Sequence, residues 1–139
     1  FHPAGSLGAK LKTVEDLMLT KEKIPFIVEN STMKNALKII TLKKLGMLLV
    51  KTKKGNVVGI ITDGQIRRVS EKNNNLHQLK VKDVMTKKPI KIESETLAMK
   101  ALSLMNAKKI TSLCVYNQKN KSKIIGIVHI HNILENSLS

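Results

Sequence analysis

The chain repeats itself, and the length of the repeat limits what it can fold into. Residues 57–68 read VVGIITDGQIRR and residues 124–135 read IIGIVHIHNILE. Each has two β-branched residues, a glycine, three positions suited to a strand end, and a helix-like run. VEDLM at 14–18 answers VKDVM at 81–85, and IPFIVEN at 24–30 answers KPIKIES at 88–94. NALKIITLKKLGMLLV at 35–50 answers KALSLMNAKKITSLCV at 100–115. Gly126 follows Gly59 by 67 residues in a chain of 139. A period that long means two copies of one small fold, not a solenoid.

Each copy carries the same periodicities. Pro25–Val28 and Pro89–Ile92 are short, proline-led apolar runs suited to strands. Ser31 or Thr32 in the first copy, and Ser94 or Thr96 in the second, offer N-cap oxygens to the helix that follows. Met33, Ala36, Leu37 and Ile40 recur at helical spacing, as do Leu97, Ala101, Leu104 and Met105. Runs at 47–50 and 57–61, and at 113–115 and 124–128, read as further strands, with turns at KTKKGN and NQKNKSK between them. Helices near 64–71 and 131–138 close the copies. The expected fold is α/β of the α+β kind, two β-α-β-β-α repeats. One copy is too small to bury its sheet face, so the two are expected to pack as a pseudo-twofold pair. The polar stretch SEKNNNLHQ at 70–78 is the natural linker.

Composition narrows the function classes. Apolar residues make up 42% of the chain, enough for a core. No apolar run approaches the length of a membrane span and no signal peptide opens the sequence, so no membrane association is expected. Cys114 is the single cysteine, which excludes an internal disulfide and fits a reducing, cytoplasmic setting as a buried small hydrophobe. The net charge of +15 invites a nucleic-acid reading. Arg67 and Arg68 are the only arginines among 25 basic residues, and the lysines are scattered along the whole chain. Phosphate and base recognition favours the fixed arginine fork, so nucleic acid is not the expected partner. An anionic metabolite is still drawn to such a surface. There is no metal-ligand spacing, because His129 and His131 stand two apart without companions. No glycine-rich phosphate loop and no Ser/His/Asp set appear, and no cofactor is expected.

The β-α-β-β-α repeat, with VKDVM ahead of it and GIITDGQ ending it, resembles a pair of CBS domains over residues 14–139. In that family two copies form a disc whose clefts hold adenine nucleotides or related ligands. FHPAGSLGAKL at 1–11 lies outside that fold. It resembles the end of the sugar-isomerase (SIS) domain in D-arabinose 5-phosphate isomerases of the KdsD/KpsF/GutQ type, with Ala4 in place of a glycine. GIITDGQIRRV is also close to that family. The resemblance implies three parts: residues 1–13 as the end of a preceding SIS domain and linker, 14–75 as the first CBS repeat and 76–139 as the second. It implies a parent enzyme that interconverts D-ribulose 5-phosphate and D-arabinose 5-phosphate on the route to Kdo and lipopolysaccharide. Such an aldose–ketose isomerisation needs a base and groups that polarise the carbonyl. Of these the chain offers His2, a catalytic candidate only once the missing domain surrounds it. The fragment alone is therefore expected to be inactive, a regulatory and oligomerising module whose partner is its own SIS domain.

The polar contents of the frame differ between the copies. Adenosine-binding members place Ser or Thr three residues after the glycine and Asp three further on, where the carboxylate accepts from both ribose hydroxyls. Here Thr62 is followed by Gln65, and the second copy has His129 and Asn132. The candidate ligand-binding residues are Thr62, Asp63, Gln65, His129 and Asn132 at the strand ends, Asn30 and Thr32 after the first strand, and Asp83 in VKDVM. For Asp83 a cap or turn role is the competing reading. The candidate ligand is a nucleotide or CMP-Kdo. Two alternatives stay open: a module that only joins subunits, and a nucleotide-sensing CBS pair from an unrelated host such as a transporter or a nucleotide-biosynthesis enzyme.

Overall fold

The computed structural model describes residues 11–20, 23–43 and 45–137. These form two compact units, one of residues 24–89 and one joining the residues up to Lys23 to those from Ile90 onward.

In the first unit, β1 (Phe26–Val28) runs parallel to β2 (Met47–Lys51), which pairs antiparallel with β3 (Val57–Thr62). Helix α2 (Met33–Lys43) makes the crossover between the parallel strands. Helix α3 (Asp63–Lys72) leaves the end of β3. The core holds Ile27 from β1, Met33, Ala36 and Ile40 from α2, and Leu48, Val50 and Ile61 from the inner strands. The second unit repeats this order: β5 (Lys91–Glu93), α5 (Ala98–Lys108), β6 (Ser112–Asn117), β7 (Asn120–His129) and α6 (Ile130–Ser137). Again the first pairing is parallel and the second antiparallel. Ile92, Ala98, Ala101, Met105, Leu113, Val115, Val128 and Ile133 fill its core. Strand β7 begins at Asn120, earlier than the apolar run suggests, so the turn shrinks and the lysines of NKSK lie on a strand.

The lead-in segments are exchanged between copies. The segment after the linker forms a short helix, α4 (Val81–Val84), and a short strand, β4 (Thr86–Lys87), which pairs antiparallel with β3 as an edge of the first copy's sheet. The segment that opens the chain forms α1 (Val14–Leu17) and pairs Leu19 with Ile127 of β7 in the second copy. The backbone bonds are matched. Val81 N–H donates to Ser31 O at 2.8 Å and Lys82 N–H to Glu29 O at 3.1 Å. Val14 N–H donates to Thr96 O at 2.8 Å and Glu15 N–H to Ser94 O at 3.1 Å. Val14 and Val81 are fully buried, each among residues of the other repeat's core.

This exchange explains the shared glycine. A Cβ on Gly59 would sit 3.0 Å from the carbonyl oxygen of Thr86 and against the sulfur of Met85. A Cβ on Gly126 would sit 2.9 Å from the carbonyl oxygen of Leu19 and against the sulfur of Met18. Only glycine leaves room for the incoming strand.

The exchange also changes how the central helices start. Thr32 does cap α2, its Oγ1 accepting from Asn35 N–H at 3.3 Å. Neither Ser94 nor Thr96 caps α5: Leu97 holds the N-cap position, with no side-chain bond. The N–H of Ala98 donates instead to Lys12 O at 2.8 Å, as Met33 N–H does to Leu79 O in the other unit. A borrowed backbone carbonyl thus satisfies an orphan helix N–H in both copies.

Candidate ligand-binding strand ends

At the end of β3 the chain turns into α3 with Thr62 as N-cap. The N–H of Thr62 donates to Oε1 of Gln65 at 2.8 Å, and Gln65 N–H reaches back to Thr62 Oγ1 at 3.4 Å. The two side chains close a reciprocal capping box. The Thr62 hydroxyl also donates to Gln65 Oε1, at 3.3 Å. At its other end Gln65 donates from Nε2 to the hydroxyl of Thr86 on β4. Both termini of the amide are therefore engaged within the unit. Asp63 opens the helix, with its carboxylate where the helix dipole favours negative charge. Its N–H donates to Gly46 O at 3.0 Å. Gly46 has φ +69°, and a Cβ there would lie 3.0 Å from Asp63 Oδ2, so two constraints favour glycine at this turn.

At the end of β7 the skeleton is the same and the chemistry is not. His129 N–H donates to Asn132 Oδ1 at 2.8 Å, the counterpart of the Thr62–Gln65 bond. Nδ1 of His129 accepts from His131 N–H at 3.0 Å, and the two rings stack with centroids 4.7 Å apart. A neutral ring that accepts at Nδ1 carries its proton on Nε2. Burial, and secondarily the neighbouring His131, hold the His129 pKa below the usual histidine value. Asn132 gives its oxygen to the backbone, while its amide nitrogen donates to no described residue.

The remaining candidates separate. Asn30 is exposed in the turn after β1, and that turn is stitched to α4 by the bonds from Val81 and Lys82. Asp83 lies on α4, exposed, and makes no capping bond. Its counterpart Asp16 does cap, accepting from Thr13 N–H at 2.9 Å. Asn30, Thr32, Thr62, Asp63, Gln65 and Asp83 all belong to the first unit, and His129 and Asn132 to the second. His2 lies outside the described residues. Thr86, the partner of Gln65, is the residue that sequence reasoning passed over. Its signal was the repeat itself, because VEDLM and VKDVM are copies and each must have an equivalent place to pair. A polar hollow of about 500 Å³, between Ser70 and Gln78, contains none of these side chains. Among the described residues no cluster of three or more His, Cys, Asp or Glu is arranged to hold a metal. Cys114 is buried, and burial pushes its thiol pKa up to about 12, which leaves it inert.

The family model described as CBS domain matches twice, over residues 14–72 and 81–139. The uncharacterized protein RP505 of Rickettsia prowazekii is 37% identical over 139 residues, all of this chain and 42% of that protein. The arabinose 5-phosphate isomerase KdsD of Salmonella typhimurium is 37% identical over 134 residues, 96% of this chain and 40% of the enzyme. The chain thus spans about 40% of the length of these curated relatives. Among solved structures, CBSX2 in complex with AMP superposes with a TM-score of 0.75 at 24% identity, covering 91% of this chain and 96% of that one. The CBS domain of a bacterial CNNM/CorC Mg2+ transporter with ATP gives 0.79 at 14% identity, covering 96% and 92%.

Proposed function

This chain belongs to the CBS domain family, and from that premise we propose that it is the regulatory and subunit-joining module of an arabinose 5-phosphate isomerase. The observation that carries the reading is the 37% identity to KdsD enzymes along 96% of the chain. The likeness to the transporter module is at 14% identity and supports the fold alone. In this reading an SIS domain precedes residue 14 and performs the isomerisation of D-ribulose 5-phosphate in the cytoplasm. His2 then belongs to that active site, and the fragment by itself is inert. Among the described residues no helix is long and apolar enough to cross a membrane.

The ligand is an anionic sugar nucleotide of the Kdo route, such as CMP-Kdo, in preference to AMP or ATP. Gln65 and Asn132 lack the double acceptor that ribose hydroxyls take, which counts against recognition led by the ribose of any nucleotide, and the preference for CMP-Kdo is supported by the isomerase reading of the host and by the basic surface. Self-association is supported by the exposed leucines Leu42 and Leu97, at 78% and 48% exposure.

The test uses the longer protein that contains this sequence. Arabinose 5-phosphate formation is assayed with and without residues 14–139, and with and without CMP-Kdo. The expected result is isomerase activity that survives deletion but loses its response to CMP-Kdo and its higher-order assembly in light scattering. Absence of isomerase activity in the intact protein refutes the assignment of the host.

A further inference from the structure

We propose that Met18 and Met85 are a matched pair of oxidant-sensitive modification sites, where a small peroxide converts the thioether to a sulfoxide and unseats the lead-in that carries it. The inference goes beyond the regulatory reading above and depends neither on the identity of the host nor on any ligand.

The two methionines hold equivalent places. Each ends the short helix of its lead-in, Met18 N–H donating to Val14 O at 2.8 Å and Met85 N–H to Val81 O at 2.9 Å. The residue after each, Leu19 or Thr86, makes the pairing to β7 or β3. The sulfur of Met18 lies against Gly126 and that of Met85 against Gly59, nearer than any other atom to the place a Cβ would take. Among the described glycines only these two face a methionine. Both side chains pack on the core of their unit yet stay half-buried, whereas Met33, Met47 and Met105 are sealed. A small oxidant therefore reaches these two sulfurs, and half-buried Met99, in the folded chain.

The sulfur gives an electron pair to one peroxide oxygen and the O–O bond breaks. The other oxygen leaves as hydroxide and takes up a proton to form water, so sulfur is oxidised by two electrons and the peroxide reduced by two. The product carries a strong acceptor where there was an apolar atom. The other atom crowding each glycine is the carbonyl oxygen of Leu19 or Thr86, which repels a second acceptor and has no proton to give it. A polar oxygen in an apolar seat without a donor must turn to water, and that lifts the methionine from its glycine. Met99 has no glycine against it and belongs to α5, so its oxidation leaves both seats in place. A thiol-dependent sulfoxide reductase removes the oxygen as water while two thiols become a disulfide, and the lead-in returns.

The test treats the chain of 139 residues with hydrogen peroxide, locates the added oxygen by peptide mass spectrometry and follows amide hydrogen exchange by NMR. The amides of Val14, Leu19 and Val81 are the reporters, because each donates to a carbonyl of the strand or turn that receives the lead-in. The expected result is early conversion of Met18 and Met85, exchange at the reporters faster by about tenfold or more, and recovery after sulfoxide reductase and a thiol. The double variant Met18→Leu/Met85→Leu keeps apolar side chains of similar volume and should hold its protection in the same peroxide while Met99 is still converted. If that variant is itself loosely seated, oxidised and reduced parent protein still decide the matter. Sulfoxide at Met18 and Met85 with unchanged exchange, conversion of these two no faster than of Met33 and Met105, or an equal loss of protection on oxidation of the variant overturns the proposal.

Discussion

His129 is biased toward its neutral form by burial and by its neighbours. Its Nδ1 accepts the N–H of His131 at 3.0 Å, and protonation would put two donors face to face. The folded pKa is depressed, so the unfolded chain binds more protons in the acid range and stability is lost as pH is lowered. The contribution is complete above the unfolded value of about 6.5 and is lost as pH falls through the lower folded value. Melting temperatures from pH 8 to pH 5 should show this loss, and His129→Gln should flatten the curve relative to the parent. An NMR midpoint for His129 at or above 6.5 would contradict it. In the first copy, Gln65→Ala removes both the capping oxygen and the Thr86 bond and should cost about 1 kcal/mol or somewhat more in urea unfolding. Gln65→Glu should cost less, because the cap survives. Both residue pairs were legible in the sequence as polar changes within a kept frame, and the i to i+3 spacing of Thr62 and Gln65 is itself a capping-box signature. What was not legible is that the side chains spend those groups on their own backbone. That depends on rotamers and on Thr86, which arrives from 21 residues away.

The elements followed from periodicity where a face is apolar. The strand and helix order of both copies could be read because α2 and α5 bury Ala36 and Ile40, and Ala101 and Met105, at helical spacing. The edge strand β4 could not. TK at 86–87 is polar, both residues are exposed, and its pairing is fixed by backbone bonds to Gly59 and Ile60 rather than by side chains. The start of α5 departs from the expected side-chain cap for a related reason: the carbonyl of Lys12, remote in sequence, takes the role expected of Ser94 or Thr96. The lead-ins therefore bear directly on stability. Gly59→Ala and Gly126→Ala each force a methyl group toward a carbonyl and a methionine sulfur of the incoming segment. Each should destabilise by roughly 1–3 kcal/mol in chemical denaturation. Met85→Ala should relieve part of the cost of Gly59→Ala, and Met18→Ala part of that of Gly126→Ala. Additive double mutants would mean that the glycines answer to something else.

For the whole molecule, the sequence repeats and the compact units are different partitions of one chain. The family matches run from 14 to 72 and from 81 to 139, whereas one unit is the continuous stretch 24–89 and the other is built from two ends. A fragment of residues 24–89 carries its own lead-in and should fold alone with a cooperative melt. A fragment of residues 14–75 has a lead-in with no partner and lacks Val81, Val84 and β4, so it should stay largely unfolded by circular dichroism. Reversed behaviour of the two fragments would refute the exchange. The exchange also sets an order of assembly during synthesis. The segment from Val14 to Leu19 leaves the ribosome early, yet its partner Ile127 is made more than a hundred residues later. Residues 24–89 have every contact they need well before that. The growing chain must carry Val14, Met18 and Leu19 uncovered until β7 emerges, a window in which chaperones and proteases reach them. The segment made ahead of both units is the last to find shelter, and a ribosome that stalls after residues 24–89 have emerged but before Ile127 leaves one finished unit carrying an exposed apolar thread.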